Sequence, residues 1–105
     1  MMSRVVLEVI RWDGRDRPVE AALRRRLAAD GFAAFFWRDA PGAAYAPHEH
    51  DHDESIWVVE GEISFGAAGR EWRLGPGDRL MLPAGTVHTA LAGAAGAAYL
   101  VGERS

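Results

Sequence analysis

The chain contains no cysteine. This excludes disulfides, thiolate metal sites and cysteine nucleophiles together, and it fits a cytosolic compartment. Lysine is absent too, so every basic side chain is an arginine. The arginines are scattered except for Arg24-Arg25-Arg26, which reads as a solvated helix face. A net charge of −3 and a pI near 5.7 leave no basic footprint for nucleic acid. No apolar run approaches the roughly 18 residues of a membrane span. The apolar stretch between Met1 and Trp12 is too short and too charged for a signal peptide. The expectation is a soluble, cytoplasmic protein without membrane or nucleic-acid partners. No loop reads as a phosphate cradle, because Gly75-Pro76-Gly77-Asp78 lacks a following lysine and helix. No spacing argues a Ser-His-Asp nucleophile, and no repeat of solenoid period occurs.

What is present suffices for one domain. The 105 residues are 49% hydrophobic, enough for a single core without disulfides. Val5 to Trp12 is rich in β-branched residues and predicts a strand. Asp13-Gly14 marks a turn. Asp16 is the expected helix N-cap and Pro18 suits the first turn. Val19, Leu23 and Leu27 form one apolar stripe, predicting a short helix over about 17–30 that lies on an apolar surface. Gly31 is the expected left-handed residue after it, with Phe32 against Leu27 in a Schellman ending.

Short strands separated by glycine turns follow. They are expected at Ala33 to Trp37, Ala43 to His50, Ser55 to Val59, Glu62 to Phe65, Arg70 to Leu74, Arg79 to Leu82, Thr86 to Leu91 and Ala97 to Val101. Gly61 is read as a strand break and Gly66-Ala67-Ala68-Gly69 as a hairpin loop. Gly75-Pro76-Gly77-Asp78 reads as a tight turn and Ala92 to Ala98 as a small-residue loop. The pattern predicts an all-β sandwich or barrel rather than a parallel α/β sheet.

Three of the four histidines fall between His48 and His52, with Glu54 next and His88 downstream. Histidine is the commonest side-chain metal ligand, and a nearby carboxylate suits a hard or borderline divalent ion. In a strand, His48 and His50 project to one face. Parity extends that face to His52 and Glu54, but Asp51 and Asp53 are turn-prone, so periodicity does not choose between those two as third ligand. His88 sits in a strand-like segment able to face the pair across a barrel. The remaining polar candidates for acid–base chemistry are Tyr45, His52 and Tyr99, with Asp51 and Asp53 behind them. Trp12, Trp37, Trp57, Trp72, Phe35, Phe36, Phe65 and Met81 are expected in the core, an interface or the lining of a small apolar pocket.

The spacing carries a further signal. Gly42, His48, His50, Glu54 and Gly61 stand at the intervals of the first motif of the cupin family. Gly77, Pro83, Gly85 and His88 stand at those of the second. The asparagine that closes the second motif is replaced by Ala92. The 15 residues between Gly61 and Gly77 are typical of the shortest microbial cupins. The chain thus resembles a small single-domain cupin of the conserved-barrel type over residues 42–102. The resemblance implies a double-stranded β-helix, a jelly-roll-like barrel, with one N-terminal helix. A strand-helix-strand arm over 1–41 would precede a barrel over 42–102 in a single domain.

It also implies His48, His50, Glu54 and His88 as ligands of one divalent ion, Fe, Mn, Ni, Co or Zn, with His52 beside them. Expected functions are a small metalloenzyme of dioxygenase, isomerase or lyase type, a metal-dependent binding or sensing module without turnover, or an ion that only braces strands. The expected partner is a small organic molecule. Metal affinity is expected to fall below about pH 6, since the ligands must be neutral imidazoles. Cupins often dimerise through an N-terminal strand, and Val5 to Trp12 is the expected seam of a homodimer.

Overall fold

A computed structural model describes residues 5–105. The first four residues of the expected 1–105 domain lie outside that range. The order of elements is β1 (Glu8–Ile10), α1 (Glu20–Ala29), β2 (Ala33–Asp39), β3 (Ala44–His48), β4 (Asp53–Ala67), β5 (Arg70–Leu74), β6 (Arg79–Leu82) and β7 (His88–Arg104). All pairings are antiparallel.

Two long strands organise the rest. The first part of β4 pairs with β6 on one side and with the last part of β7 on the other. Its second part pairs with β5 and with the first part of β7. β7 in turn carries β3 on its first part and β2 on its last. Both strands therefore pass through two layers, β1-β6-β4-β7-β2 and β5-β4-β7-β3. The crossing lies where the β4–β7 register shifts, at Gly61 and opposite Gly96.

That corner corrects two expectations. Gly61 bends β4 without ending it, and Ala92 to Ala98 is strand rather than loop. Alanine and glycine are depleted in strands by propensity, but here the corner needs them. Gly61 has φ 73°, and a Cβ on it would lie 2.2 Å from the Gly96 carbonyl oxygen. A Cβ on Gly96 would lie 2.6 Å from the Asp39 carbonyl oxygen. Side chains would hold the layers apart.

The core lies between the layers and includes Ile56, Val58, Ile63, Phe65, Leu74, Leu80, Leu82, Tyr99 and Val101. The outer face of the larger layer is covered by α1. Leu23, Leu27 and Phe32 pack there on Leu100 with Trp57 and Met81. Strand parity accounts for the split, since Ile56 and Val58 face inward while Trp57 faces the helix. Arg79 is buried under α1. It donates to Ser55 Oγ at 2.7 Å, pairs with Asp30 at 3.0 Å and lies 4.4 Å over the Trp57 ring.

The helix ends as expected. Gly31 has φ 89°, its N–H donates to Ala28 O, and the Phe32 N–H donates to Leu27 O at 2.9 Å. Its start differs. Val19, not Asp16, holds the N-cap position, without a side-chain cap, and Val19 is 62% exposed. Asp16 is engaged through its backbone carbonyl, which accepts the Trp12 indole N–H at 2.6 Å. The chain bends over residues 14–16, and the helix begins only at Glu20. Arg24 pairs with Glu20 and Arg26 with Asp30, one turn apart on the solvated face.

The expected Val5 to Trp12 strand is shorter, Glu8–Ile10, and pairs with β6 of its own chain. The turn Gly75-Pro76-Gly77-Asp78 forms with Gly77 at φ 89° and Asp78 N–H on Gly75 O. The Asp78 carboxylate ties this turn to the residues after β1. It accepts from the Trp12 N–H at 2.9 Å, the Gly75 N–H at 3.0 Å and Arg11 Nη1 at 3.0 Å. Partial burial opposes ionisation, but these donors prevail and hold the carboxyl below its ordinary range. A depressed carboxylate contributes stability that is present above its ordinary value and lost as pH falls through its folded value. Asp78→Ala is expected to destabilise by about 1–3 kcal/mol at pH 7. The gap from the wild type should close below about pH 4, as measured by urea unfolding across pH.

Candidate metal centre

At one end of the sandwich the histidines meet. His48 closes β3 and stands opposite His88, the first residue of β7. The expected strand over Ala43 to His50 stops at His48, so His50 lies in the loop beyond it. Two turns fix that loop. Gly85, at φ 78°, donates its N–H to the His50 carbonyl at 2.8 Å. The Ala84 N–H donates to Asp53 Oδ1 at 2.9 Å, and Asp53 also pairs with Arg104. Tertiary bonds, rather than strand parity, turn His50 inward.

The ring centroids of His48 and His88 lie 4.2 Å apart, those of His48 and His50 5.0 Å, and those of His50 and His88 5.2 Å. Their ligand atoms all lie within 4.8 Å of one another. His48 Nδ1 is 2.7 Å from Ala46 O, and His88 Nδ1 is 2.9 Å from Thr86 O. A carbonyl only accepts, so both Nδ1 atoms carry the proton and Nε2 keeps its lone pair. His88 is 4% exposed. Burial holds it below its ordinary pKa and the other two imidazoles act in the same direction, overcoming the opposing bond to Thr86.

Glu54 lies near the start of β4 on the face of Ile56 and Val58, and is 6% exposed. Its Oε1 is 3.6 Å from His50 Nε2 and its Oε2 is 3.2 Å from His52 Nε2. His50, His52 and Glu54 thus form a second close group that shares His50 with the first. His52 also lies 2.9 Å from Glu103 and 3.2 Å from Asp51. Burial opposes its protonation, but the carboxylates of Glu54, Asp51 and Glu103 outweigh that and raise its pKa.

The imidazoles and Glu54 open into a cavity of about 250 Å³. Phe35 and Trp37 of β2, Tyr45 of β3, Ile56 and Phe65 of β4, and Ala90, Tyr99 and Val101 of β7 complete its wall. Of the expected acid–base candidates, Tyr45 and Tyr99 reach this wall, while His52, Asp51 and Asp53 do not line it. Trp12, Trp57, Trp72, Phe36 and Met81 lie elsewhere. Asp39, which the sequence reading passed over, stands behind the wall. It is 6% exposed and accepts hydrogen bonds from both tyrosines and from Trp37. Its signal was its spacing, since it follows Phe35 and Trp37 at steps of two on the same strand face.

The donor set fits a divalent ion. The ligand atoms of His48, His50 and His88 lie within 4.8 Å of one another, and the buried Glu54 carboxylate stands beside His50.

The family described as cupin domain matches residues 35–101, more than half of the chain, and the chain belongs to the cupin family. Its fold is the all-β cupin barrel with one short helix. Solved structures agree. KdgF from Halomonas sp. is 31% identical at a TM-score of 0.61, with 71% of each chain covered. An RmlC-like cupin from Shewanella frigidimarina is 25% identical at 0.62, covering 71% of this chain and 68% of that one. An oxalate decarboxylase is 26% identical at 0.64, covering 71% of this chain but 21% of that one. No curated protein matches the chain. Among the described residues no helix is long and apolar enough to cross a membrane.

In neutral, metal-free protein, long-range proton–nitrogen NMR spectra should report His48 and His88 as Nδ1–H tautomers. An Nε2–H tautomer for either ring would contradict the arrangement.

Proposed function

We propose that His48, His50, Glu54 and His88 hold one divalent cation at the end of the cavity, and that a small organic molecule binds there beside it. The observation that carries this reading is the close group of His48, His50 and His88, with buried Glu54 beside His50, at one end of a largely apolar chamber. His52 is left outside the set, because its ring is engaged by Glu54, Asp51 and Glu103. Fe(II), Mn(II), Co(II), Ni(II) and Zn(II) all suit three nitrogens and one oxygen. When bound, such an ion supplies Lewis acidity and open positions for a substrate oxygen or dioxygen. The protein's own contribution is to bind, orient and dry the reactant with aromatic walls.

The first reading is a metal-dependent enzyme acting on a small organic molecule. The neighbouring oxalate decarboxylase supports it as an enzyme of this fold that acts on a small organic molecule, without naming a substrate here. One observation favours a second reading, a binding or sensing module without turnover. Tyr45 and Tyr99 both give their protons to Asp39, and both are held above the ordinary tyrosine pKa. For Tyr45 the bond to Asp39 is the main cause, and for Tyr99 it is burial. Neither phenol is free for acid–base work. Oxygen uptake and metabolite turnover on Fe(II)- and Mn(II)-loaded protein separate the two: turnover with any substrate class establishes the first, and binding without turnover the second. We read residues 1–41 as an arm and 42–102 as the barrel of one domain, and the cysteine-free composition fits a cytosolic location.

His50→Ala should fold but lose the metal-dependent rise in melting temperature. That rise corresponds to about 4 kcal/mol for wild type at a thousand times Kd. Metal analysis of untagged protein together with thermal unfolding checks it, and retention of the full increment would remove His50 from the set.

We also propose a homodimer seamed at β1, which stands at the end of its strand order with Val6 and Ile10 exposed. Analytical ultracentrifugation should show twice 11.4 kDa at micromolar concentration. A lone species of 11.4 kDa would rule the dimer out.

A further inference from the structure

The metal reading leaves one polar construction in the cavity wall unused. Asp39 Oδ1 accepts from the Tyr45 hydroxyl at 2.5 Å and the Trp37 indole N–H at 2.9 Å, and Oδ2 accepts from the Tyr99 hydroxyl at 2.6 Å. These bonds join β2, β3 and β7 at one point. All three donors are neutral groups. A buried carboxylate is ordinarily balanced by a cation. Among the described residues, dipoles hold it, and its charge remains to act on whatever occupies the chamber next to those rings.

The hydrogen bonds also decide what the wall presents. A phenol has one proton, and both phenols commit theirs to Asp39. Toward the cavity, Tyr45 and Tyr99 therefore offer oxygen lone pairs and electron-rich rings, but no donor. Phe35 and Trp37 add two more aromatic side chains from alternate positions of β2. The lining carries no arginine, and the chain has no lysine. Such a wall attracts a positive group through the ring quadrupoles and the carboxylate behind them. Away from the imidazoles, this wall presents no cation and no free donor with which to hold a negative one.

We propose that the Asp39–Tyr45–Tyr99–Trp37 cluster makes this wall a receptor for a small organic cation of the substituted-ammonium class. The ligand of the site then carries a cation at one end and an oxygen donor for the metal at the other. The oxygen half rests on the metal reading above, whereas the cation half stands on the wall alone. Asp39 acts here as a positioning residue. It fixes both phenols as acceptors and supplies the charge, without touching the ligand. A tie of purely structural purpose would show no charge preference.

The test is calorimetric titration of the protein with choline and with 3,3-dimethylbutan-1-ol, which has the same shape with carbon in place of the charged nitrogen. Both are titrated into metal-free and into Zn(II)-loaded protein. Choline is expected to bind at least about tenfold tighter in both forms. Asp39→Asn keeps the size and removes the charge, and should cut the preference below about threefold. Equal affinities, tighter binding of the alcohol, or no binding of either at millimolar concentration in the wild type would overturn the proposal. A preference that survives intact in folded Asp39→Asn would remove Asp39 from it. The wild-type comparison decides the cation class even where the variant does not fold. Choline preference in a protein that takes up no metal sinks the metal reading alone, and metal uptake without choline preference sinks this one alone.

Discussion

β4 and β7 are hydrogen-bonded to each other on both sides of a shared bend, and the register set in one layer is imposed on the other. Glu54 opposite Glu103 in the larger layer comes with Ala67 opposite His88 in the smaller. Because side chains alternate, a slip of one residue would turn Glu54, Ile56 and Val58 outward together. The same ladder carries β3 on its flank, which sets His48 against His88. Closing the core and gathering the histidines are therefore a single event. The glycines at the bend are part of it, since the layers meet there with no room for a side chain.

The cavity places two carboxylates in an apolar setting, and each is stabilised differently. Glu54 stands beside the imidazoles of His50 and His52, and imidazoles offer lone pairs to an ion. Asp39 stands among phenol and indole donors, which are fixed in charge. The result is a chamber with two chemical characters in one small volume, a nitrogen-and-carboxylate end and an electron-rich aromatic wall. Histidines alone on this fold leave the chemistry open. The wall narrows the class of molecule that the chamber admits.

Local signals were legible where local chemistry decides. Gly31 and Phe32 ended the helix as their pattern implied and Gly77 took its turn, while the hairpin expected over Gly66-Ala67-Ala68-Gly69 turns on Ala68-Gly69 alone, both at positive φ, with Gly66 and Ala67 still in strand. Reading failed at Asp16, an ordinary N-cap residue, where the helix starts later, after Val19. It failed also where distant partners decide. Ala92 to Ala98 has loop composition, yet it runs as strand because its neighbours across the ladder need small residues. The strand through His48 was expected to reach His50, but Gly85 and Asp53 fold the chain into a loop there.

The sequence by itself determined the all-β class, the helix end and the tight turns, because each depends on residue type and short intervals, whereas the joining of His88 to His48 and His50 followed from the resemblance to cupins. Only the tertiary structure decided which way Glu54 and His52 face: β4 begins between them, Glu54 reaches His50 as well as His52, and His52 also meets Asp51 and Glu103. It alone placed Asp39 behind two tyrosines, Tyr99 lying 60 residues away. Hydrogen bonds across such separations depend on how the sheets close, and no interval along the chain encodes that.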